Sequence, residues 1–131
     1  MKIYGIGTDI VGIDRIKKII KKQKILKRLF NEKEISRCSK IVNSYNCYAK
    51  RFAAKEAFSK ALGTGISNGI NFNEIIVLNK KNGKPFIRLE GKTKQKIEKK
   101  FKKKAIIFLS LSDEKKYAIA FVTISIWKKK K

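Results

Sequence analysis

The spacing of hydrophobic and polar residues divides the chain into short strand-like and helix-like segments. Residues 2–7 alternate over a short run, which predicts a strand ending at Gly7-Thr8-Asp9. Asp14 is then a predicted N-cap for a helix that continues to about Gln23. The apolar stripe of that helix consists of Ile13, Ile16, Ile19 and Ile20.

The middle of the chain predicts two further helices. Asn31 is an N-cap candidate, and Glu34 follows at capping-box spacing, so we expect a short helix to about Ser39. The longest helix is predicted from Ser44 to Leu62, and Gly63 is well placed as its C-terminal glycine. Close packing of this helix is favoured by evenly spaced small residues, Ala49, Ala53, Ala57 and Ala61.

The C-terminal half predicts two hairpins separated by a helix. We expect a loop at Thr64–Asn71, a strand at Phe72–Leu78, and an Asn-Gly turn at residues 81–84. Pro85 cannot donate to a ladder and should open the strand Phe86–Leu89. The remaining predicted elements are a polar helix and two apolar strands, at Thr93–Lys103, Ala105–Ser112 and Tyr117–Trp127, before a frayed tail at Lys128–Lys131.

This order of elements predicts an α+β fold in which a mainly antiparallel sheet packs against the long helix. The 131 residues suit a single domain spanning 1–131, and a hydrophobic content of 43% excludes wholesale disorder. The net charge of +24 favours polyanionic partners. Only 5 of the 34 basic residues are Arg, however, and Lys-, Ile- and Asn-rich usage is also what an AT-rich genome produces.

Several residue types are scarce or missing. The chain has no histidine, which removes the commonest general base and zinc ligand. Cys38 and Cys47 form no metal-type pair, and we expect two inert, part-buried thiols in a reducing cytosol. The sequence shows no signal-peptide pattern, and its longest apolar run is shorter than the roughly 20 residues of a membrane helix. We therefore expect a soluble, cytoplasmic protein.

The few acidic residues are the first candidates for chemistry. Asp9 follows a predicted strand, where a polar side chain can face a cleft, and Glu56 borders the apolar stripe of the long helix. A charge beside an apolar stripe is costly unless something binds it. Each residue also has an ordinary explanation, because Asp9 can simply end a strand and Glu56 can pair with Lys60 on a solvated face. Asp113 and Glu114 complete the set.

Residues 51–65, RFAAKEAFSKALGTG, resemble the bacterial holo-acyl-carrier-protein synthases, the small class of 4′-phosphopantetheinyl transferases. Lys55–Lys60 match the Lys-Glu-Ala-x-x-Lys helix of that family, and Gly7–Val11 match its Gly-x-Asp strand end. The turn at 82–85 and the strands around 110–112 and 117–122 are also similar to the family's. The four elements occur in the family's order and cover nearly the whole chain.

The resemblance implies transfer of the 4′-phosphopantetheine arm of coenzyme A to a serine of apo-acyl carrier protein. Adenosine 3′,5′-bisphosphate leaves, and the product serves fatty acid biosynthesis. The resemblance assigns Mg²⁺ to Asp9 and Glu56, and Lys60 to the phosphates. The group that takes the serine proton is then a metal-bound water or a water oriented by Glu56.

Coenzyme contacts follow from the same resemblance. Arg51 and Lys55 are implied to hold the 3′-phosphate or other nucleotide oxygens, and Ser110 belongs to the family's Ser-x-Ser strand. Gly63 and Gly65 can let the backbone approach the coenzyme, although a helix-ending role also explains Gly63. The chain departs from the family at Phe108 and Asp113, where members usually carry histidines, and Phe108 can instead pack against the adenine or pantetheine.

The resemblance also implies partners. Acyl carrier proteins are strongly acidic, so Arg15 is implied to contact the carrier, with Lys18, Lys22 and Arg28 as looser candidates. A generic solvated face is the alternative for these residues. Members of the family are similar in forming homotrimers with active sites between neighbouring subunits.

A basic nucleic-acid-binding module is the competing interpretation. The charge and the 13 aromatic residues permit it. The basic residues are scattered, however, and no RNP-like, zinc-finger or helix-turn-helix pattern is present. Salt-dependent association with DNA is expected in either case, so metal-dependent turnover discriminates between the two.

Overall fold

The computed structural model describes residues 1–63, 69–102 and 104–127 and has the predicted α+β architecture. A first strand and four helices occupy the N-terminal half, and two hairpins flanking a fifth helix occupy the other. The elements are β1 (Lys2–Gly12), α1 (Ile13–Ile19), α2 (Gln23–Leu29), α3 (Glu32–Cys38), α4 (Ser44–Leu62), a 3₁₀ turn (Phe72–Glu74), β2 (Ile75–Asn79), β3 (Pro85–Leu89), α5 (Gly91–Phe101), β4 (Ala105–Asp113) and β5 (Tyr117–Ile126).

The strands form two antiparallel sheets. The larger sheet has the order β1-β5-β4, and β2 and β3 make a separate hairpin. In the register of the larger sheet Asp9 lies opposite Ala120, while Thr8 lies opposite Phe121. Because paired residues share a face, Asp9 belongs to the covered face with buried Ala120, and Thr8 to the outer face.

Helix α4 packs against the inner face of this sheet at very short range. A Cβ added at Gly7 would lie 1.8 Å from the carbonyl oxygen of Ala57, and one added at Gly5 would lie 1.9 Å from that of Ala61. Ala57 and Ala61 are themselves buried, so small residues line both sides of the seam. Strand β1 and helix α4 are therefore in backbone contact along a Gly–Ala seam.

Several sequence predictions are confirmed by the structure. Asn31 caps α3, and Glu34 completes the capping box. The long helix begins and ends where predicted, and Gly63 closes it in the left-handed conformation at φ 80°. Pro85 opens β3. Among the described helices, none has the length and apolar character needed to cross a membrane.

Other boundaries differ from the prediction. Strand β1 continues past Gly7 because its pairing with β5 extends to Gly12 opposite Tyr117. Gly12, not Asp14, is the N-cap residue of α1, and the helix ends at Ile19. Residues Phe72–Glu74 form a 3₁₀ turn instead of the start of a strand, because the Glu74 carboxylate turns toward α5 and accepts from its Thr93 hydroxyl. Most of the predicted loop and the whole tail, residues 64–68 and 128–131, lie outside the described residues.

The expectation of two free thiols is wrong. Cys38 and Cys47 form a disulfide, with their Cα atoms 5.4 Å apart. Cys38 ends α3 and Cys47 lies in the first turn of α4, so the turn between the two helices folds back and brings the sulfurs together. Both residues belong to the buried core.

Candidate active site

Two acidic side chains lie near each other at the seam between β1 and α4. Asp9 extends from the inner face of β1, and its side chain is 17% exposed. Glu56 is half-buried on α4. Burial and the negative charge of Asp9 raise the pKa of Glu56, while the charges of Lys60 and Arg15 oppose the shift. The structure therefore places a repelling carboxylate pair where a cation would be stabilised.

Lys60 lies one turn beyond Glu56 on α4 and completes this group. Its Nζ donates to Asp9 Oδ1 at 3.1 Å and to the Thr8 carbonyl oxygen at 3.0 Å. The ammonium group stays exposed to solvent. The structure thus brings Asp9, Glu56 and Lys60 together, and the ion pair of Lys60 is with Asp9.

A cavity of about 1000 Å³ opens beside Glu56. Its apolar wall includes Phe52 and Phe72, whose ring centroids are 6.0 Å apart in an edge-to-face arrangement. Its volume lies at the upper end of the usual range for small-molecule sites. The other lining residues are Arg28, Leu29, Ile70, Asn71, Asn73, Glu74, Gly91, Lys92 and Gln95.

Arg51 lies apart from this group, at a second cavity of about 310 Å³. The side chain is buried and donates to Asn79 Oδ1 at 2.8 Å and to the Cys47 carbonyl oxygen at 3.4 Å. Its Nε is buried without a hydrogen-bond partner. Asp113 also lines this cavity and accepts from Asn46 Nδ2 at 2.7 Å. A direct nucleotide contact by Arg51 stays a prediction.

The predicted contact between Lys55 and nucleotide oxygens is contradicted by the structure. Lys55 is fully buried, and its Nζ donates to Glu34 Oε1 and to the carbonyl oxygens of Phe72 and Ile75, each at 2.7 Å. These three bonds use all three ammonium protons. Burial lowers the pKa of Lys55 to about 8, against the opposing effect of the Glu34 carboxylate. Lys55 is therefore an internal group.

The other predicted coenzyme contacts are spread over the molecule. Gly63 ends α4, as its alternative explanation predicted. Gly65 lies outside the described residues. Ser110 is exposed on the outer face of the sheet opposite Phe121, so the fold does not bring it to the Asp9 side of the same chain. Phe108 is exposed on that outer face as well.

The predicted docking residues are divided between α1, the start of α2 and the edge of the cavity. Arg15 is exposed on α1, its guanidinium carbon 5.9 Å from the centroid of the Phe52 ring. Lys18 is exposed on the same helix, whereas Lys22 is the N-cap residue of α2. Arg28 lines the large cavity. The predicted single helix from Asp14 to Gln23 is therefore divided, and its basic residues follow two short helices.

A metal ion at this seam would have few protein ligands. Over residues 1–63, 69–102 and 104–127 no group of three or more Asp, Glu, Cys or His side chains is placed to hold a metal ion. Mg²⁺ needs only one or two protein carboxylates when substrate phosphates and waters supply its other ligands. The pair of Asp9 and Glu56 fits that requirement.

Sequence reasoning missed the wall of the large cavity and the partner of Lys55. The predicted strand Phe72–Leu78 included Phe72, and Phe52 was not among the candidate site residues. Glu34 was identified as a capping residue only, yet its Oε1 also accepts from Lys55. The capping box was the one available signal, because it fixed the position of the Glu34 side chain at the start of α3.

The fold and site together define a small α+β protein with a carboxylate pair and a lysine beside a large cavity. A family model described as the 4′-phosphopantetheinyl transferase superfamily matches residues 5–122, and the chain belongs to this superfamily.

Relatives and solved structures agree with this assignment. The holo-[acyl-carrier-protein] synthase of Pelagibacter ubique is 50% identical over 125 residues, covering 95% of this chain and 98% of that protein. The structure of the Neisseria meningitidis synthase is 38% identical, with a TM-score of 0.83 over 94% of this chain and 98% of that chain. The Bacillus anthracis synthase, solved in complex with CoA (3′,5′-ADP), is 35% identical, with a TM-score of 0.76 over 95% and 97% of the two chains.

Proposed function

We propose that the protein is an enzyme that transfers the 4′-phosphopantetheine arm of coenzyme A to a serine of apo-acyl carrier protein. The products are the holo-carrier protein, used in fatty acid biosynthesis, and adenosine 3′,5′-bisphosphate. The observation that carries the proposal is the grouping of Asp9, Glu56 and Lys60 beside a cavity of about 1000 Å³. The carrier serine attacks the β-phosphate of coenzyme A, and the bond from that phosphorus to the bridging oxygen breaks.

Mg²⁺ is the cofactor of this proposal, with Asp9 and Glu56 as its protein ligands. Support comes from the donor set, since the negative charge of Asp9 already raises the pKa of Glu56. A cation between the two carboxylates would relieve that repulsion. When bound, Mg²⁺ neutralises charge on the pyrophosphate and holds it in line for attack.

The side chains of the chain itself supply positioning and proton transfer. Lys60 provides a mobile positive charge for the phosphates, because its ammonium is exposed although it contacts Asp9. Glu56 orients the water that takes the serine proton, because it lines the cavity beside Asp9 and Lys60. The apolar wall formed by Phe52 and Phe72 excludes water and holds the pantetheine arm beside Glu56.

The carrier protein docks on the basic face of α1 and α2 in this proposal. Arg15 is the central contact of this proposal, and the support is that its side chain is exposed and that its charge acts on Glu56. Charge reversal in Arg15→Glu should raise the Michaelis constant for the carrier more than that for coenzyme A. Equal effects on both constants would contradict the docking assignment. The assignment extends more loosely to Lys18, Lys22 and Arg28.

A homotrimer with active sites between subunits is part of the same proposal. The outer face of the β1-β5-β4 sheet supports it, because large apolar side chains there are between 43% and 62% exposed. Such contiguous apolar surface marks an interaction site. These residues are Ile6, Ile10, Phe108, Tyr117, Ile119 and Phe121. Ser110 lies on this face too, so a contact with coenzyme A would be made across the interface.

Three further assignments complete the proposal. Nucleotide oxygens approach Arg51 at the second cavity, where its buried Nε has no hydrogen-bond partner. Residues 1–131 form one domain, which the shared core of helices and strands supports. The location is cytoplasmic, although the Cys38–Cys47 disulfide removes the argument from free thiols.

The test follows the intact mass of apo-acyl carrier protein incubated with coenzyme A, Mg²⁺ and the enzyme. We expect a gain of one phosphopantetheine group that a chelator abolishes and that Asp9→Ala and Glu56→Ala each reduce by at least about 100-fold. Glu98→Ala, which removes an exposed carboxylate of α5, is the matched control and should keep wild-type activity.

A mass gain that persists with the chelator would refute the metal assignment. The absence of any gain with a folded protein and a competent carrier would refute the reaction itself. Salt-dependent DNA binding would decide nothing, because it is expected of this charge in either case.

A further inference from the structure

The Lys55–Glu34 ion pair joins four elements inside the core. Both side chains are 0% exposed, and Lys55 Nζ is 2.7 Å from Glu34 Oε1. The other Glu34 oxygen accepts from the backbone nitrogen of Val77 at 3.1 Å. The pair therefore connects α4 to α3, to β2 and to the 3₁₀ turn at Phe72–Glu74. A fully satisfied buried network of this kind has a fixed geometry.

The bonds of Lys55 bracket the turn that forms one wall of the large cavity. Its ammonium holds the carbonyl oxygens of Phe72 and Ile75, which lie at the first residue of the turn and just after it. The Phe72 ring packs against Phe52 of α4, and both line the cavity together with Glu56. Successive residues on a helix point about 100° apart. Lys55 of α4 can therefore hold the turn that forms the cavity wall, while its neighbour Glu56 lines the cavity itself.

We propose that Lys55 is a positioning residue that sets the width of the cavity for the pantetheine arm of coenzyme A by tying the Phe72–Glu74 turn to α4. The inference rests on the proposed function, since that function supplies the arm as the occupant of the cavity. An apolar side chain at this position could fill the space, but it could not fix two carbonyl oxygens in direction. The ammonium does so while Glu34 balances its charge.

The experiment compares two ligands that differ in the arm. Coenzyme A carries the arm, whereas adenosine 3′,5′-bisphosphate has only the nucleotide part. For Lys55→Met we expect the dissociation constant of coenzyme A, measured by calorimetry, to rise about tenfold, because the displaced cavity wall loses contacts with the pantetheine arm. The dissociation constant of adenosine 3′,5′-bisphosphate should stay within about twofold, and kcat at saturating coenzyme A should change less than the affinity.

Two further variants separate positioning from folding. Lys55→Met leaves the Glu34 carboxylate buried and unpaired, which destabilises the fold. Adding Glu34→Gln removes that charge and should recover much of the unfolding temperature, while coenzyme A affinity remains about tenfold weaker. Lys94→Met, the same exchange at an exposed ion pair of α5, is the matched control and should change neither affinity.

Equal loss of affinity for both ligands would overturn the inference, because it would indicate direct nucleotide contact or general damage. Unchanged affinity for coenzyme A in the folded double variant would also overturn it, and the double variant serves if the single one does not fold. The reaction and the positioning role can also fail separately. If Lys55→Met loses affinity for coenzyme A alone but the wild-type protein never modifies the carrier, the proposed reaction is refuted and the positioning role is supported.

Discussion

Replacing Gly7 by alanine should separate β1 from α4 and damage both the fold and the site. The new Cβ would lie 1.8 Å from the Ala57 carbonyl oxygen, and ordinary contact begins at 3.4 Å. The strand must therefore move away by about 1.6 Å, the difference between the two distances. The obstacle is helix backbone, so no side chain can rotate aside. Overpacking of this kind costs about 1–3 kcal/mol or more of unfolding free energy.

The same displacement acts on the chemistry. Asp9 lies two residues beyond Gly7 on the same face of β1, while Glu56 and Lys60 are carried by α4. A misplacement of about 1 Å can cost roughly 100-fold in rate, so kcat/KM should fall by at least that factor. Denaturant unfolding measures the stability term, and the carrier mass assay at saturating Mg²⁺ measures the rate term.

Gly12→Ala is the control within the same strand. A Cβ at Gly12 meets nothing within 4 Å, and its φ of −73° suits alanine. This variant should keep its activity and stay within about 1 kcal/mol of wild-type stability, because alanine restricts the unfolded chain but is a poorer N-cap residue than glycine. Equal behaviour of the two variants, or full activity in Gly7→Ala, would refute the reasoning that the Gly–Ala seam sets the position of the site.

Three other predictions follow from the same structure. Burial and Asp9 raise the pKa of Glu56, so Asp9→Asn should lower it in an NMR titration of the metal-free protein, and an unchanged pKa would contradict the proximity of the two acids. Between the ordinary glutamate pKa and the raised one, Glu56 is protonated in the folded state and ionised in the unfolded state. The contribution of Glu56 to the free energy of unfolding therefore falls as the pH rises through this window. Phe121→Lys, at a position 46% exposed on the outer sheet face, should convert the proposed trimer to monomers in sedimentation experiments and lower activity at least tenfold. A trimer that survives this change uses another surface. Cys47→Ser opens a disulfide with a sequence separation of 9 and should lower the free energy of unfolding by about 2–3 kcal/mol, provided that the wild type is measured without reductant. Identical midpoints for the two proteins would show that the bond does not contribute.

Local signals in the sequence predicted the parts of the fold that depend on neighbouring residues. The long helix Ser44–Leu62 and its closing Gly63 are confirmed, because small and apolar residues follow one helical face up to a glycine that adopts a left-handed conformation. The α+β arrangement is confirmed as well. The family assignment from short motifs is also confirmed, since the superfamily model matches residues 5–122.

Features that depend on distant residues were the ones missed. The burial of Lys55 requires Glu34, which lies 21 positions away, and nothing near Lys55 in the sequence announces that partner. The extension of β1 to Gly12 depends on its register with β5 at the other end of the chain. The candidate site shows the same division, because Asp9 and Glu56 were found as motif residues while the cavity wall at Phe72 needed the tertiary fold.

The contrast between α4 and the first two helices has a consequence for local opening. Nearly every residue of α4 from Cys47 onward is buried, whereas α1 and α2 have 7 residues each and mostly exposed faces. Backbone amides of α4 should therefore exchange with solvent deuterium only through global unfolding, and those of α1 and α2 through small local fluctuations. The proposed site residues Glu56 and Lys60 would then belong to the most slowly exchanging segment of the described chain. The proposed carrier-docking surface would belong to a segment that can adjust its shape without disturbing the acids.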